Sequence, residues 1–248
     1  MKELLIALCV ALLMVGCGGK DDEKIEKIKH AAEQGDAEAQ YELAKTYAES
    51  GLLRNTEESM RWYRKAAENG NAEAQSVLGY MYLNGEGVAK DKAMALEWLH
   101  KAAKQDHPDA YLSLGLASGD ANESFNYYLK AAELENTLAQ GMVGERYRKG
   151  DGVDQDLEKA FEWWLKAAEQ LEFQSQYNVA CCYAKGEGVT QDLVTAYAWF
   201  TIAAPFYGDA EEGLAFVEPK MTKEQIAEAQ ALAKKLAKRI GQPSPNSP

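Results

Sequence analysis

Nucleophilic, acid–base and metal chemistry would have to start from a small set of side chains. His30, His100 and His107 each stand alone, whereas zinc on one helical turn needs two imidazoles on the same face, so the three read as structural or solvated. Ser118 lies in Gly115-Leu116-Ala117-Ser118-Gly119, which misses the Gly-x-Ser-x-Gly register of a nucleophile elbow and has no strand before it, so it reads as a turn. A recurrent Gly-x-Gly lacks the Gly-Lys-Ser/Thr that would make it a phosphate cradle. Asp151, Asp154 and Asp156 could gather round calcium. The glycine and distal glutamate of a calcium loop are misplaced, however, and capping and solvation account for the three better. Cys181 and Cys182 are adjacent, with Cα atoms about 3.8 Å apart, shorter than a disulfide accepts. They are either two small helix-packing residues or thiols with a redox or intermolecular role. No nucleophile is paired with a base, so the expectation is a non-enzyme with no catalytic, cofactor or metal site.

The rest of the chain must therefore be read for what it positions. Of its 248 residues, 46% are hydrophobic and 27% charged, a globular balance that excludes collagen, mucin and coiled-coil rods. The 39 acidic side chains exceed the 27 basic ones, giving a net charge of −12 that repels phosphate backbones. Nucleic acid is not an expected partner.

A short charged start and the twelve-residue apolar run Leu4 to Val15 end at Gly16-Cys17. That run is too short to span a bilayer and suits a signal peptide over residues 1–16. Met14-Val15-Gly16-Cys17 resembles the cleavage box of bacterial lipoproteins, which implies cleavage before Cys17 and lipidation of its sulfur and new amino group. An ordinary secretory signal or an uncleaved anchor is the other reading of the same run. Gly18, where an aspartate would retain a Gram-negative lipoprotein at the inner membrane, implies a lipid anchor in the outer membrane facing the periplasm. Residues 17–24 read as a flexible lipidated tether.

Self-similarity governs the body. Ala-Ala pairs begin at Ala31, Ala66, Ala102, Ala131, Ala167 and Ala203, spaced by 35, 36, 29, 36 and 36 residues. Trp62, Trp98, Tyr127, Trp163 and Trp199 each stand four residues before a pair. A second set opens another segment per unit: Ala39-Gln40, Ala74-Gln75, Ala110-Tyr111, Ala139-Gln140 and Ser175-Gln176. Apolar offsets of 4, 1 and 3 through Ala39, Leu43, Ala44 and Tyr47 make one helical stripe, repeated from Ala74 to Tyr82. Gly79 and Gly144, in mid-helix, are expected where two helix backbones press together. Gly-x-Gly-Val at Gly85, Gly150 and Gly186 predicts a turn, and Asp91, Asp156 and Asp192 predict N-caps of the following helix. Each unit is a helical hairpin, with its tryptophan expected between units.

This recurring pattern closely resembles the Sel-one-like repeat, a relative of the tetratricopeptide repeat. The first repeat departs from it over Ser50 to Asn55, and the third is seven residues short between Leu114 and Tyr127. The resemblance implies an all-α fold, a right-handed superhelical solenoid of stacked helical hairpins, over residues 25–204 with an N-terminal cap helix. Residues 205–240 form a C-terminal capping segment, where Thr222-x-x-Gln225 makes a capping box and Met221 and Ile226 a hydrophobic staple. Lys234, Lys235, Lys238 and Arg239 in its last turns complement the helix dipole. Residues 241–248 read as a disordered tail.

In tetratricopeptide repeats the first helices line a concave groove. That register selects Tyr41, Lys45, Ser76, Tyr80, Leu112, Leu116, Gly141, Glu145, Arg148, Tyr177 and Cys181. Either these side chains form a protein interface or they fill the superhelix against their own neighbours. The resemblance implies a membrane-tethered scaffold binding another protein, a toxin or an envelope component. Some lipoproteins with such repeats are immunity proteins against lipid-cleaving effectors. A cell-wall-fragment-binding protein or weak hydrolase is the rival reading.

Overall fold

The computed structural model describes residues 19–49 and 56–241. The signal segment, Cys17, the first-repeat departure at Ser50 to Asn55 and the tail beyond Gly241 lie outside them. The described residues form thirteen α-helices and one 3-10 turn, with no strand. The chain divides into two compact units, up to His107 and from Pro108. The first holds α1 (Gly19–Glu33) and two hairpins, α2 (Ala37–Glu49) with α3 (Thr56–Glu68), and α4 (Ala72–Asn84) with α5 (Lys92–Ala103). The second holds three hairpins: α6 (Pro108–Ala117) with α7 (Ala121–Glu133), α8 (Thr137–Lys149) with α9 (Leu157–Glu169), and α10 (Phe173–Lys185) with α11 (Leu193–Ala203). Two further helices, α12 (Asp209–Val217) and α13 (Lys223–Ile240), end it. Within each unit successive helices pack on one another as far as α12, and α13 returns to pack on α11.

The helix α1 begins at Gly19, so residues 19–24, expected as part of a flexible tether, are helical. Glu23 and Lys27 pair at 2.7 Å one turn apart, while Ile28 and Ala32 pack inward.

The turn chemistry follows the sequence closely. Gly85, Gly150 and Gly186 close the first helices in the left-handed conformation. Asp91 and Asp156 each accept the amide three residues on at 3.0 Å, and Asp192 accepts those of Val194 and Thr195. The second glycine of the turn has a further reason. A Cβ on Gly152 would lie 2.1 Å from the Ala121 carbonyl oxygen, and one on Gly188 2.0 Å from that of Leu157. Each turn thus rests on the N-terminus of the preceding hairpin's second helix. At the C-terminus Thr222 and Gln225 form the reciprocal capping box at 2.9 and 3.3 Å, and Met221 and Ile226 both pack on the core.

The mid-helix glycines make room for a side chain rather than bringing two bare backbones together. A Cβ would come within 2.5 Å of Leu99 at Gly79, 2.5 Å of Tyr128 at Gly115 and 2.6 Å of Trp164 at Gly144. The residue that enters is the one after the recurrent aromatic. This corrects the expectation for Trp163, which is only partly buried while Trp164 is fully buried. Trp164 also stands outside the common register of the other tryptophans. The register aromatics Trp62, Trp98 and Trp163 carry Lys65, Lys101 and Lys166 over their rings at 4.2, 3.9 and 4.0 Å; Trp62 and Trp98 are buried, as expected, and only Trp163 is half-exposed.

Amides join the hairpins. The Nε2 groups of Gln40, Gln75, Gln140 and Gln176 donate to the carbonyls of Ala32, Ala67, Ala132 and Ala168, at the end of the preceding helix. The Oε1 atoms of Gln40, Gln75 and Gln140 accept at 2.9 Å from Asn69, Gln105 and Gln170, just beyond the second helix of the same hairpin. Each buried glutamine satisfies a helix-terminal carbonyl that would otherwise lack an intrahelical partner.

Candidate functional site

The first helices bury the stripe that the spacing predicts, through Leu43 and Ala44 with half-buried Ala39 in α2, Ala74, Leu78 and Gly79 in α4, and Ala139, Val143 and Gly144 in α8. The groove register lies beside that stripe. In the first unit Tyr80 is 44% exposed, whereas Tyr41 packs tilted against Tyr63 at 5.9 Å with Lys45 over its ring at 5.4 Å. Partial burial and the nearby Glu73, opposed by Lys45, leave the Tyr41 hydroxyl above its ordinary pKa. Ser76 is buried, a correction to its reading as a groove residue: a small side chain at this register is covered by its neighbours.

In the second unit Leu116 is 51% exposed and Arg148 is exposed, while Leu112 packs partly against the core. Gly141 offers no side chain, and its carbonyl accepts the Trp164 indole N–H at 3.2 Å. Glu145 takes Arg148 at 2.9 and 2.6 Å and Lys149 at 2.9 Å, which holds its carboxyl down at about 2 against some desolvation. Tyr177 belongs to an aromatic cluster of its own unit, 5.7 Å from Phe200 and 5.2 Å from Tyr207. Burial, with the Cys181 contact next, pushes its hydroxyl up to about 12. Tyr177 and Cys181 therefore serve packing as much as any surface.

The candidate chemistry is placed equally plainly. Burial pushes the Cys182 thiol up to about 12 and raises Cys181 as well, and both thiols are free. Ser118 sits in the trimmed turn and donates to Glu123 at 2.6 Å, while Asp120 caps α7. Asp151 pairs with Arg146, and Asp156 caps α9. Among the described residues no group of His, Cys, Asp and Glu could hold a metal ion. No described helix is long and apolar enough to cross a membrane.

The sequence profile of the Sel1 repeat matches residues 37–71, 72–107, 110–136, 137–170 and 173–204, one match per hairpin. The chain belongs to the Sel1 repeat family. Sel1 repeats are scaffolds for protein–protein interaction, and the fold is the all-α solenoid of helical hairpins that the resemblance implies. A protective antigen of uropathogenic Escherichia coli with this fold is 32% identical at a TM-score of 0.77, over 86% of this chain and 48% of that one. A Sel1 repeat protein of Oxalobacter formigenes is 26% identical at a TM-score of 0.69, over 85% of this chain and 99% of that one. An immunity protein of Pseudomonas aeruginosa shares the fold at 21% identity and a TM-score of 0.51, over 85% and 83% of the two chains. Chitin synthase regulatory factor 3 of Schizosaccharomyces pombe is 39% identical over 100 residues, which are 39% of this chain and 11% of that protein. This chain spans less than a third of the curated relatives that it matches.

Proposed function

We propose that this Sel1 repeat protein is a lipid-anchored scaffold of the bacterial outer membrane, facing the periplasm, that binds another protein through its first helices. The observation that carries the binding reading is the exposure of Tyr80, Leu116 and Arg148 on the register beside the buried stripe. Tyrosine and arginine are the residue types that dominate protein interfaces, and an exposed leucine beside them adds apolar area to be desolvated. The anchor rests on the apolar run ending at Gly16-Cys17 and on Gly18. Within this reading the partner is a secreted lipid-cleaving effector that the protein neutralises, in keeping with the fold it shares with an immunity protein.

The test combines anchor and surface. Palmitate labelling should be lost in Cys17→Ala, and labelling that persists would remove the anchor. Cells expressing the protein should resist a lipid-cleaving toxin encoded beside its gene. That protection should fall in Tyr80→Ala/Leu116→Ala/Arg148→Ala at unchanged thermal stability. Protection undiminished in that variant would reject the first-helix surface, and no protection at all would reject the immunity role.

A further inference from the structure

A second surface lies in the second unit, at the helix ends where its turns between hairpins follow one another, and these turns repeat a geometry found throughout the chain. In those turns Gly35, Gly70, Asp106, Glu135 and Leu171 occupy the same left-handed position, at φ of 95°, 94°, 55°, 65° and 67°. At the second position of the helix that follows stand Glu38, Glu73, Asp109, Leu138 and Gln174. The carboxylates there have a structural use: Glu38 accepts from Asn71 at 2.9 Å and Asp109 from Asn136 at 2.6 Å, linking each hairpin to the cap of the next. At the fourth hairpin Leu138 replaces the carboxylate and Glu172 replaces the asparagine, so this link has no counterpart.

Leu138 is 59% exposed, Leu171 37% and Phe206 48%, Phe206 being stacked on Phe173 at 4.3 Å. The three belong to one stretch of surface. Thr137 donates to Gln170 at 2.9 Å, tying the turn of Leu138 to that of Leu171, and Phe173 follows two residues later. Phe206 gains a stacked partner in Phe173, but each of the three leaves much of its apolar surface in water. Exposed leucine gains nothing from hydration, and Leu171 also holds a conformation that costs an L-residue about 1–2 kcal/mol. Residues 133–138, 169–174 and 204–209 carry five carboxylates, Glu133, Glu135, Glu169, Glu172 and Asp209, and no lysine or arginine of their own, although Arg239 of α13 pairs with Glu169 at 2.8 Å and Glu172 caps α10.

We propose that this turn edge, centred on Leu138, Leu171 and Phe206, is a docking surface for a partner segment that combines apolar side chains with lysine or arginine. The apolar trio supplies the desolvated contact, and the carboxylates on the same turns select the flanking charge. The surface adjoins the N-terminal end of the first-helix register in this unit, since Tyr177 packs on Tyr207 at 5.2 Å and Gly141 faces Glu172, but it lies apart in sequence from Tyr80 and Leu116.

A labelled amphipathic peptide of leucine and lysine tests the chemistry by fluorescence anisotropy, with serine–lysine and leucine–glutamate peptides as controls. The leucine–lysine peptide should bind and lose at least about tenfold in affinity in Leu138→Ser/Leu171→Gly/Phe206→Ser. It should be unaffected by Tyr80→Ser/Leu116→Ser. Leu171→Gly alone should weaken binding while raising Tm, a pairing that a structural leucine would not give. Equal binding by the serine–lysine or leucine–glutamate peptide, undiminished affinity in the triple variant, or an equal loss in the Tyr80/Leu116 variant would each overturn the proposal. So would a dimer of the free protein that the triple variant dissolves, since the occupant would then be a second copy.

Discussion

The two adjacent tryptophans of α9 separate what spacing can and cannot show about one side chain. Trp163 stands on the repeated register with Lys166 over its ring, whereas Trp164 fills the space left by Gly144. Trp164→Ala should therefore cost about 3–5 kcal/mol in a denaturant titration, and Trp163→Ala clearly less. Equal costs would show that the assignment of inner and outer ring is wrong. A one-residue step turns a side chain by about 100° on a helix, so a pattern that recurs in Trp163 did not disclose that its neighbour is the core residue. Ser76 was misread for a related reason, since its register alone does not say how closely the next helix covers a small side chain. The adjacent thiols are legible only in three dimensions as well. With burial holding Cys182 near 12 and raising Cys181, native protein at pH 8 should react with a disulfide reagent far more slowly than unfolded protein. Comparable rates would contradict the burial.

At the level of helices and turns the sequence was far more explicit, because caps and left-handed turns depend on local residue chemistry. Asp91, Asp156, Asp192 and the Thr222–Gln225 box perform the roles their positions suggest. What the chain did not reveal is the contact made by the second glycine of the Gly-x-Gly-Val turn, since its partner carbonyl belongs to the preceding hairpin, about thirty residues earlier. Two substitutions isolate that contact. Gly152 and Gly241 share nearly the same φ, 77° and 75°, but a Cβ on Gly241 meets nothing. Gly241→Ala should cost about 1 kcal/mol for conformation alone, and Gly152→Ala about 2–4 kcal/mol because the backbone of Ala121 must also move. Thermal melts showing equal shifts would mean that the turn does not rest on that helix end. The start of α1 at Gly19 was hidden by its own polarity, as a solvated helical face and a linker share a composition.

For the molecule as a whole, charge sets how stability and association respond to solution conditions. Glu145 has its carboxyl depressed to about 2 by Arg148 and Lys149, so its contribution is complete above the ordinary 4.5 and vanishes as pH falls toward 2. The pair is partly exposed and screened, so the stability gap between wild type and Glu145→Gln should be of order 0.5 kcal/mol at pH 6 and close near pH 2. A gap that widens in acid would invert the assignment. The net charge of −12 predicts that capture of a basic partner slows as salt is added, with the dissociation rate changed less. The chain of glutamine contacts through Gln40, Gln75 and Gln140 carries one more implication, for how such a molecule can change length. Gln40, Gln75, Gln140 and Gln176 each answer a carbonyl at the end of the preceding helix that nothing within that helix answers. Lengthening is therefore tolerated in whole periods and resisted in fractions. A second copy of residues 137–172 spliced after Glu172 should fold cooperatively, whereas half that segment would strand buried amides and carbonyls at the splice. Reach along a partner thus comes in steps of one hairpin, so recognition in such a protein can be lengthened without redesigning the surfaces already in use.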